Sequence, residues 1–153
     1  METKQRGPRP GEIAEVSLRE MVAHLNVIDA SIDAMGAGLD SGLAARDFLT
    51  RLDVLAFSAA RLHIPDVPRI IDALEELVLA AHVYRTRPPE EIAATLRHGV
   101  DVLMLLTHDK MRRMQGYPGA ELRPATEAVV ERVARLVGSQ AEIRSTTMKV
   151  AGL

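Results

Sequence analysis

The 153-residue chain has no cysteine and no tryptophan, and its aromatic residues number four: Phe48, Phe57, Tyr84 and Tyr117. Without thiols there is no thiolate nucleophile, disulfide, thiolate zinc site or iron–sulfur cluster to consider. Four aromatics are too few for a platform that stacks single-stranded bases. An excess of one charge is lacking too: 19 Lys and Arg face 21 Asp and Glu, for a net charge of −2. No global field therefore draws in nucleic acid or an anionic membrane. No apolar run nears the ~20 residues that span a bilayer. Met1 to Gly11 is polar, contains two prolines and lacks the apolar stretch of a secretory signal. The expectation is a cytoplasmic protein with no nucleic-acid or membrane partner.

What the chain does have is apolar content, 47% of its residues. At this length a single domain buries roughly 68–70% of the surface its unfolded chain exposes, so no metal or disulfide is needed to build a core. The apolar positions recur at 3.6-residue spacing, and Ala, Leu, Arg and Glu dominate, which predicts helices nearly throughout. Ser17-Leu18-Arg19-Glu20 reads as a capping box opening the first helix, with Leu18, Met21, Leu25, Ile28, Ile32 and Met35 inward and Gly36 and Gly38 ending it. A second helix runs from near Ser41 to Leu62 with Phe48, Leu49, Leu52, Leu55, Ala59 and Leu62 inward, and Pro65 stops it. The third starts after Asp66, a good N-cap; it buries Val67, Ile70, Ile71, Leu74, Leu77, Val78 and Ala81 and is broken by Arg87-Pro88-Pro89.

The fourth helix spans Pro89 to about Met114, with Ile92, Leu96, Val100, Leu103, Thr107, Met111 and Met114 on one side. A fifth runs from about Pro124 to Val137 and presents Val129, Val130, Val133, Leu136 and Val137. The fold class expected is all-α, an antiparallel four-helix bundle with a fifth, C-terminal helix. Its domain occupies 16–138, between a disordered or extended tail over 1–15 and a flexible tail over 139–153.

Chemistry falls to five histidines, the carboxylates and the arginines. A di-iron bundle needs Glu-x-x-His pairs, but the residues three before His24, His63, His82, His98 and His108 are Met21, Ala60, Leu79, Thr95 and Leu105. No metal site or other cofactor is expected. The row His98, Asp101, His108 and Arg112 reads as a solvated face opposite an apolar one. The cations His108, Lys110, Arg112 and Arg113 suit the negative end of a helix dipole. Gly36-Ala37-Gly38 follows a helix rather than preceding one, the wrong polarity for a phosphate cradle. There is no Gly-x-Ser-x-Gly elbow. The chain is not expected to be an enzyme.

The helix order, the loop positions and the segment Asp53-Val54-Leu55-Ala56-Phe57-Ser58-Ala59-Ala60-Arg61-Leu62-His63 together resemble the histidine phosphotransfer domain, in the five-helix form found at the N-terminus of chemotaxis-type kinases. That family carries His-x-Ile/Leu-Lys-Gly-x-Ala/Ser-x-x-Leu/Phe-Gly on its second helix. Leu55, Ala59 and Leu62 match its apolar positions, and the likeness extends over roughly residues 17 to 137. The chemistry departs from it. Asp53 stands where the family has its phosphorylated His, Ala56 replaces the Lys that steadies the phosphoryl group, and Phe57 and His63 replace the two Gly.

The resemblance thus implies a non-phosphorylatable module that binds a two-component or chemosensory partner, a receiver domain or a histidine kinase. Its docking face would comprise Arg46, Thr50, Asp53, Ala56, Phe57, Ala60 and Arg61. Glu75 matches the Glu that supports the active His and would bring a second negative charge to Asp53, which is otherwise read as a surface carboxylate paired with Arg46. Whether Phe57 faces solvent or packs on the first or fifth helix is left open by the sequence. So are two other functions: a phosphorelay intermediate using a different His, and a structural bundle that homodimerises.

Overall fold

The computed structural model describes residue 7 and residues 9–36, 41–84 and 89–150; for residues 10, 36, 41, 82–84, 89 and 139–150 it describes the backbone alone. The expected breaks at Gly38 and Arg87-Pro88, and residues 1–6 and 8 of the expected N-terminal tail, lie outside these residues, as does the side chain of His82.

The first helix begins earlier than its Ser17 capping box suggests. α1 spans Pro10–Gly36, so residues 10–15, expected in a tail, are helical. Proline is at home in the first turn because its missing N–H has no partner there anyway. Two residues on, Glu12 Oε2 accepts from the Arg9 amide at 3.2 Å, and the Arg9 carbonyl accepts from the amides of Glu12 and Ile13. This start makes Ser17 an interior residue, and the Glu15–Arg19 ion pair at 2.6 Å supports the added turns.

α2 (Ser41–Leu62), α3 (Asp66–Tyr84) and α4 (Pro89–Met114) follow with the expected bounds. α2 ends in a Schellman motif. The Ile64 amide donates to the Ala59 carbonyl at 3.1 Å and the His63 amide to the Ala60 carbonyl at 3.4 Å, with His63 in the left-handed region at φ 55°. α4 closes the same way on Gly116 at φ 88°, with Tyr117 donating to the Arg112 carbonyl at 3.0 Å and the Arg112 guanidinium lying over the Tyr117 ring. α5 spans Arg123–Val150, beyond the expected stop at Val137 and through most of the segment expected as a flexible tail. Gly138 costs an internal helix only about 1 kcal/mol relative to Ala, and Gln140-Ala141-Glu142 after it are good helix formers.

Consecutive helices pack against one another, and α1 also packs on α4, closing α1–α4 into an antiparallel ring; α5 lies outside it against α3 and α4. The inward stripes meet in one aliphatic core around Phe48, Leu25, Ile28, Leu52, Leu74 and Leu103. Val129 and Val133 of α5 join it. Met114, expected inward, is exposed at the very end of α4, where the stripe has no further turn to continue it. Thr95 and Thr107, both fully buried, satisfy their hydroxyls on the carbonyls of Glu91 and Leu103 one turn earlier.

α3 and α4 approach closely at Gly99, where an added Cβ would lie 2.5 Å from Cδ2 of the buried Leu74. Gly99→Ala should therefore destabilise the fold by about 1–3 kcal/mol despite the better helix propensity of Ala, a shift readable as a lower urea midpoint. At the other glycine-like position, His63→Gly should stabilise by about 1 kcal/mol by removing the cost of a left-handed β-carbon; an unchanged midpoint would contradict that reading of the cap.

Candidate functional site

Burial of Phe48, Leu52, Leu55, Ala59 and Leu62 turns the opposite side of α2 to solvent. Arg46, Thr50, Asp53, Phe57, Ala60 and Arg61 are all exposed there, while Ala56 is half-buried against the core. Phe57 is 66% exposed, which settles its position outside the core. Its ring lies under the guanidinium of Arg61, one turn on, with the charge 5.8 Å from the centroid. Leu43 and Val54, also exposed, extend the apolar part of this face along the helix. Thr50 donates to the Arg46 carbonyl at 2.9 Å and is held in place by its own helix.

The two edges of α2 differ in electrostatic character. Toward α1, Asp47 accepts from the Ser31 hydroxyl and from Arg51 Nε, and Arg51 also reaches Nδ1 of His24 at 3.4 Å. The Ser31 hydrogen bond, with Arg51 adding to it, holds the Asp47 carboxyl below the usual aspartate range. Toward α3, Asp53 meets a carboxylate instead of a cation. Partial burial pushes the Glu75 carboxyl up, and the hydrogen bond and repulsion from Asp53, with Asp72 nearby, push it further the same way. Asp53 is thus not paired with Arg46, as its sequence neighbourhood suggested. Arg46 has no side-chain partner among the described residues.

The other sequence candidates are dispersed. His98 is half-buried beside Arg132 of α5, whose guanidinium lies 3.3 Å from its Nδ1, while Asp101, His108 and Arg112 are exposed along α4. Arg113 is tied to Asp109, which also accepts from the Ala120 amide at 2.8 Å and thereby anchors the loop into α5. These bonds, the Ala120 amide first, hold the Asp109 carboxyl below the ordinary aspartate range. A cavity of about 310 Å³ at this end of the bundle lies between the α2–α3 turn and that loop, with His63, Pro65, Leu106, Lys110 and Arg123 in its wall. Its cations are largely neutralised, Arg113 by Asp109 and Arg123 by Asp66 at 3.3 Å. Among the described residues no group of three His, Asp or Glu is placed to hold a metal ion, and no helix is long and apolar enough to cross a membrane.

Glu75 sets a pH dependence whose sign follows from its raised pKa. Between the ordinary glutamate value and the raised one, the folded chain holds a proton that the unfolded chain has released, so this pair costs stability as pH climbs through that interval. Asp47 and Asp109 act oppositely, stabilising above the ordinary aspartate value and losing that contribution as pH falls through their lowered ones. Glu75→Gln should raise stability at pH 7 by no more than about 1 kcal/mol, given solvent screening, and the gain should vanish toward the ordinary glutamate range. Urea midpoints taken across pH 4 to 8 measure it; a loss of stability at pH 7 would show that the two carboxyls do not repel.

Compared with protein-family models, with curated proteins and with solved structures, the chain finds no match.

Proposed function

We propose that the chain is a non-catalytic docking module of the histidine phosphotransfer type, which binds a receiver domain or histidine kinase through the outer face of α2 without passing on a phosphoryl group. The observation that carries this reading is the exposed Phe57, which shares an uncovered face with Asp53 at the position where the resembling family has its acceptor. Large aromatics beside an arginine are the side chains that contribute most to protein interfaces, and an exposed apolar patch rimmed by charge marks a contact surface.

The same residues argue against transfer. Phosphorylating an aspartate requires a metal shell and a cation for the charge that develops on the phosphoryl oxygens, whereas Asp53 faces Glu75 and Asp72. Partners of this class place the module in the cytoplasm.

Phe57→Ala should weaken capture of such a partner at least about tenfold. It should move the thermal midpoint by less than about 2 °C, since truncating an exposed side chain costs little. A large fall in the midpoint would give Phe57 a structural role and remove the basis for docking. Stable phosphate on any histidine after incubation with a phosphorylated kinase or receiver would overturn the non-catalytic reading.

A further inference from the structure

The outer face of α2 is ordered in three columns with a seven-residue step. Leu43, Thr50 and Phe57 form the centre; Arg46, Asp53 and Ala60 form the edge toward α3; Asp47, Val54 and Arg61 form the edge toward α1. The contacts fix these edges, since Asp53 meets Glu75 of α3 and Asp47 meets Ser31 of α1.

From this pattern we infer that α2 docks on α2 of a second copy of the chain, antiparallel, about a two-fold axis passing at Thr50. The register follows from self-complementarity. A two-fold axis at Thr50 sets Leu43 of each copy against Phe57 of the other, and at 62% and 66% exposure these are the two most exposed large apolar side chains among the described residues. In an antiparallel two-fold pair like edges meet, so Arg46 falls beside Asp53 of the other copy, twice. Each arginine, without a side-chain partner among the described residues of its own copy, then reaches a seam where Asp53, Asp72 and Glu75 likewise have no cation paired to them among those residues. A parallel pairing does worse. It sets Arg46 beside Asp47, already engaged by Ser31 and Arg51, and leaves Asp53 against Val54.

Apolar residues flank the axis on both sides. The Arg51–His24 and Asp47–Ser31 contacts place Val27 of α1 level with Thr50, and the Asp53–Glu75 contact places Leu79 of α3 at nearly the same height. Val27 is 48% and Leu79 56% exposed. The strip from Leu43 to Phe57 is about 21 Å long, near the small end of specific interfaces. A contact this short points to a reversible dimer, so the equilibrium is sought over a wide concentration range. The dimer covers the surface assigned above to a signalling partner, so self-association and partner binding compete.

Sedimentation equilibrium on the whole chain from about 1 to 500 µM, a range that covers weak reversible association, tests the inference. The expected result is a monomer–dimer equilibrium that R46D or D53R alone weakens at least about tenfold and that the double variant restores to within about threefold, because the swapped charges face each other again. Circular dichroism confirms that each variant folds. Since the chain has no cysteine, T50C supplies a single thiol that should cross-link as a disulfide dimer under mild oxidation, whereas A94C on the outside of α4 should not.

A monomer throughout overturns the inference, as does a dimer that the double variant fails to restore or that T50C fails to trap. The inference uses the same face as the docking reading, yet the two fail separately. Phe57-dependent capture of a partner by a strictly monomeric chain leaves docking intact, and a dimer with no signalling partner leaves self-association alone.

Discussion

The rotation of α2 about its own axis is the constraint on which the rest depends. Phe48, Leu52, Leu55 and Ala59 are essentially inaccessible to water, and each large side chain among them contributes about 1.5–3 kcal/mol by leaving it. Sliding the helix by one residue would turn it 100° and draw most of that stripe out of the core, a loss no surface contact offsets. With the inner face fixed, the outer column of Leu43, Thr50 and Phe57 has nowhere else to point. The exposed aromatic is therefore a consequence of core packing, and the sequence spends an apolar side chain there that the fold does not use.

The seams beside α2 add geometry more than stability. On the α1 side Ser31, Asp47, Arg51 and His24 form a connected polar chain that sets the height of one helix against the other. Exposed ion pairs such as Asp47–Arg51 are worth at most about 1 kcal/mol each, small beside the aliphatic core. On the α3 side two carboxyls occupy the equivalent place, an arrangement that costs the isolated chain free energy at neutral pH. An uncompensated pair of like charges at the edge of an exposed apolar column is the kind of feature a partner can relieve, and it distinguishes this corner of the bundle from the others. Elsewhere, among the described residues, ion pairs across helices join opposite charges, Arg97 with Asp33 and Arg69 with Glu127.

Much of this architecture was legible in the chain. The five helices and nearly all inward residues follow from helical periodicity, because burial of a continuous stripe leaves that imprint, and Pro65 marks the turn between α2 and α3. Helix ends were less legible. Ser17 and Glu20 make a plausible cap, but Pro10 and Glu12 make another farther out, and nothing local decides between two starts on one continuous helix. The end of α5 reads as lying near Val137 because the apolar stripe stops there, while the helix-forming residues beyond it extend the helix without one. Cross-helix partners were not legible from spacing, since Arg51–His24 spans 27 residues and Arg97–Asp33 spans 64. The Asp53–Glu75 meeting came only through the family resemblance. The outward position of Phe57 was undecided because a helical wheel gives a direction without saying whether a fifth helix fills it. α5 packs on α3 and α4, the far side of the ring.

The contact of α1 with α4 has a further consequence, for the order of events in folding. α1–α2, α2–α3 and α3–α4 are neighbours in sequence and can each form as a local helical hairpin, on the microsecond scale typical of low-contact-order folds. Bringing Asp33 to Arg97 closes a loop through two intervening helices. Loop-closure entropy grows only with the logarithm of length, about 0.6 kcal/mol per doubling, so this non-local step carries a modest added barrier. It is nonetheless the step that seals the core, and until it occurs the stripes of α1 and α4 remain open to water and to other chains.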